Sequence, residues 1–235
     1  MDLRKNEWDS SYKNRDNFVF YPNEEVIRFI SKYIKKRIGV NEFISLCDKN
    51  RCLDLGCGIG RHIVFLDDFN FDVYGVDLSE EAINYAKDWF DRIGKVHLKD
   101  KLIISSITNM PFKNDFFDFV ISHGVLDSMS FDLAKKGINE TYRVMKTKGL
   151  LYFDVVSGYD YDHYREYEGE EVVTTKHENL TIQSYFNWNK INVLLKDKFI
   201  IKEAFLIQRE SVISKNKNSR WHIIAEKKQN EEMII

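Results

Sequence analysis

A chain of 235 residues, 43% of them hydrophobic and 31% charged, can bury a core, which rules out wholesale disorder. Thirty-five lysines and arginines against 37 aspartates and glutamates leave a formal charge of −2, so no global basic field exists to hold nucleic acid or an anionic membrane. The sequence has no apolar run near the roughly 20 residues that span a bilayer, no signal-peptide core in its first seven residues, and only three cysteines, without CxxC spacing, so a reducing cytoplasm is the default compartment.

Residues 8–20 are polar with scattered aromatics and fit neither the helical nor the strand period. They are expected to form an irregular arm over the domain. Pro22 suits a first helical turn. Val26, Ile30 and Ile34 then recur along one face, and Gly39 is placed to end that helix. From residue 51, short apolar strands alternate with helices. Strands are predicted over 52–55, 73–77, 102–105, 117–122 and 150–156, with helices following the first, second and fourth. Ser79 is a good N-cap, and Glu80 and Glu81 favour the positive end of the helix it opens. The alternation implies a parallel sheet with right-handed crossovers.

After Ser157 the pattern changes. Residues 158–170 hold four tyrosines and many acids. Segments 172–176 and 180–186 read as two added antiparallel strands, and 187–196 as a short helix. Segments 198–207 and 220–226 read as two final strands. The loop between them is too short for a crossover helix, so that pair is antiparallel.

Chemistry is concentrated in Leu53-Asp54-Leu55-Gly56-Cys57-Gly58-Ile59-Gly60-Arg61-His62, between the first strand and its helix. Backbone N–H groups there can face a ligand, and glycines permit a tight turn and close approach. Asp77 ends the next strand, 23 residues beyond Asp54. An acid there can accept hydrogen bonds from both hydroxyls of a ribose. The GxGxxG spacing of a dinucleotide site would need a small residue at position 61, where Arg61 stands.

These residues resemble the first two motifs of the class I S-adenosylmethionine-dependent methyltransferases, continued by Gly75-Val76-Asp77-Leu78-Ser79. Asn109-Met110-Pro111-Phe112, then Phe116-Phe117-Asp118-Phe119-Val120, is similar to the stretch that leads into the family's fourth strand. Glu140-Thr141-Tyr142-Arg143-Val144-Met145-Lys146 resembles its helix end before the fifth. The resemblance implies a single α/β domain. It is a Rossmann-like, seven-stranded, mostly parallel sheet with the last strand pair antiparallel, an N-terminal helical cap and an insertion after strand five. The arm and cap take 1–45, the cofactor-binding half 46–156, the substrate lid and C-terminal strands 157–226, and a tail 227–235.

The resemblance also assigns roles to S-adenosyl-L-methionine contacts. Gly56, Cys57 and Gly58 lie along its methionine part and Asp54 steadies that end. Asp77 holds the ribose and Leu78 packs on the adenine. Ser106, beside Ile107, stands where the family often has an acid on the adenine amino group. Arg61 reaches the cofactor carboxylate or a nearby acid, His62 is helix surface, and Tyr12, with Trp8, closes over the cofactor. His123, after the fourth strand, is the candidate base or acceptor-binding residue. Asp127 is a structural acid. Tyr159, Tyr161, His163, Tyr164 and Arg165 shape the acceptor pocket.

Methyl transfer from a sulfonium has an activated donor and a neutral leaving group, so alignment supplies most of the acceleration. A base is needed only where the acceptor carries a proton of high pKa. The acceptor is expected to be a small, polar molecule, a sugar or phosphorylated metabolite among the options, with methylation at oxygen favoured over nitrogen. No metal, nucleic acid or membrane is expected, and the chain is expected to be a monomer or homodimer. Two rival readings stay open: a nicotinamide-dependent oxidoreductase, and an S-adenosylmethionine-binding protein without catalysis.

Overall fold

The computed structural model describes residues 4–160 and 167–229. Its first element, α1 (Lys5–Lys13), replaces the irregular arm expected there. That helix carries no strong apolar stripe; docking holds it. The Asp9 carboxylate accepts from the Ser79 hydroxyl at 2.6 Å and from Lys5 at 2.8 Å. It also lies 3.4 Å from the Glu81 amide. Tertiary contact here supplies what the local pattern lacks.

Asn23 caps α2 (Glu24–Phe29), its side chain accepting from the Glu25 amide. The chain continues as a π-helical turn, Ile30–Ile34, and then leaves the helix. The expected end at Gly39 is therefore five residues too late. Ile34 is the last apolar residue of the stripe, and Lys35, Lys36 and Arg37 offer nothing more to bury. Lys35 turns extended and its ammonium donates to the Phe69 carbonyl at 2.9 Å. A hairpin follows, β1 (Lys35–Arg37) against β2 (Phe43–Ser45), with Gly39 in its connection.

Next come β3 (Arg51–Leu55), α3 (Arg61–Asp67), β4 (Asp72–Asp77), α4 (Glu80–Arg92), β5 (Leu102–Ile104), β6 (Phe117–Ser122), α5 (Phe131–Val144) and β7 (Met145–Val156). Beyond them lie β8 (Glu170–Val172), β9 (Ile182–Ser184), α6 (Trp188–Leu195), β10 (Phe199–Glu210) and β11 (Lys217–Lys227). Seven strands form one sheet in the order β10-β11-β7-β6-β3-β4-β5. The pairs β3–β4, β3–β6, β4–β5 and β6–β7 are parallel. Strand β11 is antiparallel to both β7 and β10, so it alone runs against the other six. The inserted pair β8–β9 forms a separate antiparallel ribbon after β7. Tyr161, His163, Tyr164 and Arg165 lie outside the described residues.

Strand alternation divides the interior in two. Leu53, Val120, Leu151, Phe153 and Ile223 face α5 and α6. Cys52, Phe119, Ile121, Tyr152 and Ile224 face α2, α3 and α4. On this second face, the residues that continue the same alternation toward the C-termini of the parallel strands turn polar, Asp54 on β3, His123 beyond β6 and Asp154 on β7, and they are met there by Arg220 and His222 from the N-terminal half of the reversed β11. Among the described residues no helix is long and apolar enough to cross a membrane, and no cluster of His, Cys, Asp and Glu could hold a metal ion.

Candidate active site

Ligands of open α/β sheets sit at the C-terminal ends of the strands, where the strand order reverses. Here β3 lies between β4 and β6, and the chain leaves it through the glycine loop. Gly56, Gly58 and Gly60 have φ of 71°, 52° and 87°, a region that L side chains rarely enter. A Cβ on Gly60 would lie 2.5 Å from Phe90, so this glycine lets α3 start against α4.

Four of the loop amides point back into the protein, where the sequence suggested a ligand. Gly56 and Cys57 both donate to the Val76 carbonyl, at 2.8 and 2.9 Å, and Gly60 donates to Cys57. The Gly58 amide donates to Asp77 Oδ2 at 2.8 Å. Val125 and Tyr12 pack directly on the loop: a Cβ on Gly56 would meet Val125 at 2.4 Å, and one on Gly58 would meet the Tyr12 hydroxyl at 2.5 Å. The Cys57 side chain turns into the core, where burial pushes its thiol far up.

Asp77 ends β4 and is anchored twice, by the Gly58 amide on Oδ2 and the Ser79 amide on Oδ1, each at 2.8 Å. A carboxylate has about four lone-pair sites. Two remain, enough for a vicinal diol. Burial raises the Asp77 carboxyl to about 6, against the pull of those two amides.

Asp77 lines a cavity of about 100 Å³ that opens to solvent at its mouth. Of the residues that the sequence reading assigned to the cofactor, Tyr12, Gly56, Leu78, Ser106 and Ile107 share its wall. Leu78 and Ile107 provide apolar surfaces for a flat base. The Ser106 hydroxyl pairs with that of Thr108 at 2.8 Å. The reading considered Trp8, which also lines the cavity, but missed Thr108, Gly124, Val125, Ser128, Met129 and Leu133. These follow strand ends or open α5, so their signal was topological, with no motif to mark them.

Asp54, Arg61 and His123 lie outside that wall, in the polar layer of the α2 side. Asp54 Oδ2 is buried and accepts no hydrogen bond, with His62 Nδ1 3.7 Å away. His62, expected on the helix surface, is buried; its Nε2 accepts from the Asn23 amide at 3.2 Å and ties α2 to the loop. Arg61 lies 3.0 Å from His123 Nδ1. His123 Nε2 lies 3.5 Å from Asp154. Arg220 bridges Asp154 at 2.8 Å and Asp127 at 2.7 Å. Burial, opposed by Asp154 and supported by Arg61, His62 and Arg220, lowers His123 to about 3. Asp127, which also accepts from the Val156 amide at 2.8 Å, is structural, as expected.

The arrangement fits S-adenosyl-L-methionine. Asp77, on the cavity wall, keeps two acceptor sites for a ribose diol, and behind the wall the orphaned Asp54 oxygen would suit an ammonium. The sheet order and its crossovers define a Rossmann-like α/β domain. Residues 53–153 match a methyltransferase domain family. A sterol 4-C-methyltransferase of Caenorhabditis elegans is 25% identical over 154 residues, 62% of this chain and 43% of that one. The chain spans about half the length of the curated relatives it matches. A methyltransferase crystal structure from Methanosarcina mazei superposes with a TM-score of 0.66 at 24% identity, covering 79% of this chain and 95% of that one. The 1,6-didemethyltoxoflavin-N1-methyltransferase of Burkholderia thailandensis, solved with 1,6-didemethyltoxoflavin and S-adenosylhomocysteine, gives 0.67 at 14% identity, over 97% and 88%.

Proposed function

We propose that the protein transfers a methyl group from S-adenosyl-L-methionine to an oxygen of a small polar acceptor, such as a sugar or a phosphorylated metabolite. One observation carries the cofactor half: Asp77 sits on the cavity wall with acceptor capacity for a diol left over. When bound, the cofactor supplies an activated methyl on a sulfonium. The chain supplies orientation. Asp77 takes the ribose, Leu78 and Ile107 hold the base with Ser106 at its edge, and Gly56 and Gly58 let the methionine part lie against the backbone. Asp54 and Arg61 answer the charges of the amino-acid tail, and Tyr12 shuts the cavity from above. A nicotinamide ring finds less support, because Arg61 fills the position where a third small residue would stand.

The acceptor half rests on His123. It is neutral across physiological pH and surrounded by polar groups, which suits a protonated oxygen acceptor better than a bare carbon. A labelled-methyl assay against a panel of small hydroxylated metabolites tests the activity. His123→Ala is expected to lower turnover by about a hundredfold, the usual contribution of a positioned base, while S-adenosylhomocysteine affinity stays within twofold. Full activity in that variant would remove His123 from the reaction.

A further inference from the structure

The guanidinium of Arg61 lies 3.0 Å from His123 Nδ1. A guanidinium only donates hydrogen bonds, so Nδ1 must be the accepting nitrogen. The ring proton is therefore on Nε2, which points toward Asp154 at 3.5 Å. In this arrangement Nδ1 has its lone pair occupied. Nε2 has a proton and a carboxylate beyond it. Neither nitrogen can take a proton from an acceptor.

Arg61 has an alternative partner. Asp54 Oδ2 is buried without a hydrogen bond, and Asp54 is the largest favourable charge acting on the Arg61 guanidinium, ahead of Asp154. An amino-acid tail laid along Gly56 and Gly58 brings a carboxylate into the same neighbourhood. We propose that Arg61 is a positioning residue that latches His123 in the free protein, and that its withdrawal toward a carboxylate frees Nδ1 as the base. This rests on the methyltransferase reading above and extends it: the base is available only when the methionine part of the cofactor is in place.

The step balances. The acceptor O–H bond breaks and an N–H bond forms at Nδ1. The oxygen electron pair forms the new bond to the methyl carbon as the sulfur–methyl bond breaks. Positive charge passes from sulfur to the imidazolium, whose Nε2–H faces Asp154. Every charged or titratable neighbour of His123 takes part in this balance. Arg61 and His62 on α3 and Arg220 on β11 oppose an imidazolium, while Asp154 on β7 favours it. Withdrawing Arg61 removes one opponent and leaves the favouring carboxylate.

The test reads the ring nitrogens of His123 by 15N NMR in the full chain, assigned with His123→Gln. In the free protein they are expected to show a single Nε2–H tautomer with Nδ1 accepting a hydrogen bond. Saturating S-adenosylhomocysteine should shift Nδ1 to the position of an unbonded lone pair and move the His123 titration toward higher pH. Arg61→Met should give the shifted Nδ1 without any ligand. Arg61→Lys, which keeps the charge and a donor, should stay responsive to ligand if the methionine variant fails to fold. Calorimetric S-adenosylhomocysteine binding with unchanged His123 nitrogens would overturn the latch and leave the methyltransferase reading standing. Absence of any binding would overturn the reading itself, and the latch with it.

Discussion

Asp77 is buried and Arg220 half-buried, and they differ in what compensates them. Two amides hold Asp77, and burial still raises its carboxyl to about 6. In the folded chain this group keeps a proton that the unfolded chain loses near pH 4. Its contribution to stability therefore declines as pH rises from about 4 to about 6. Cofactor binding needs the ionised form and runs the other way. Calorimetric affinity for S-adenosylhomocysteine is expected to be flat above pH 7 and to fall about tenfold per pH unit below 6; a flat profile down to pH 5 would contradict the assignment. Arg220 instead serves two carboxylates. It holds Asp154 well below the usual carboxylate range, while burial pushes Asp127 up. Arg220→Met leaves both acids unpaired and should cost about 3 kcal/mol or more at pH 7 in denaturant titrations. With both carboxyls then raised, the variant should regain more stability than the wild type as pH falls from 7 to 5, beyond the Asp77 gain that both share. That Gly56 and Asp77 share one cavity wall was legible, because each belongs to a local motif. The partnership of Arg61 with His123 was not, since its members lie 62 residues apart on different elements.

The elements that carry the site were legible where an apolar period and a boundary signal agreed. Strand β6 and the helix capped by Ser79 match their predicted limits because alternation, cap and acidic first turn all point the same way. Helix α1 was missed because its stability comes from Asp9 meeting α4, a contact 70 residues away with no local signature. Asp9→Ala should leave the Ser79 hydroxyl without its acceptor and loosen α1. Limited proteolysis within residues 1–20 is expected to speed up several-fold, with a global stability loss of about 1 kcal/mol, as for a lost cap or hydrogen bond. Unchanged cleavage would mean that α1 is held by other contacts. Helix α2 was overextended because Gly39 looked like a stop, whereas the apolar stripe runs out at Ile34.

At the scale of the molecule, the parallel sheet places two unlike environments side by side. The cavity lies over the C-terminal ends of β3, β4 and β6, and the polar layer of Asp54, Arg61, His123, Asp154 and Arg220 lies behind it. The antiparallel last pair could be read from segment spacing, since a short connection cannot cross over; the strand order could not. The polar layer could not, because it arises only when five elements converge and each member is an isolated polar residue in its own strand or helix. The account depends most on Asp77 as the grip on the ribose. Titrating S-adenosyl-L-methionine into the wild type and into Asp77→Ala by calorimetry measures that grip directly. A loss of tenfold or more in affinity, about 1.4 kcal/mol or above, is the result expected for charge-assisted bonds; equal affinities in the two proteins would contradict it.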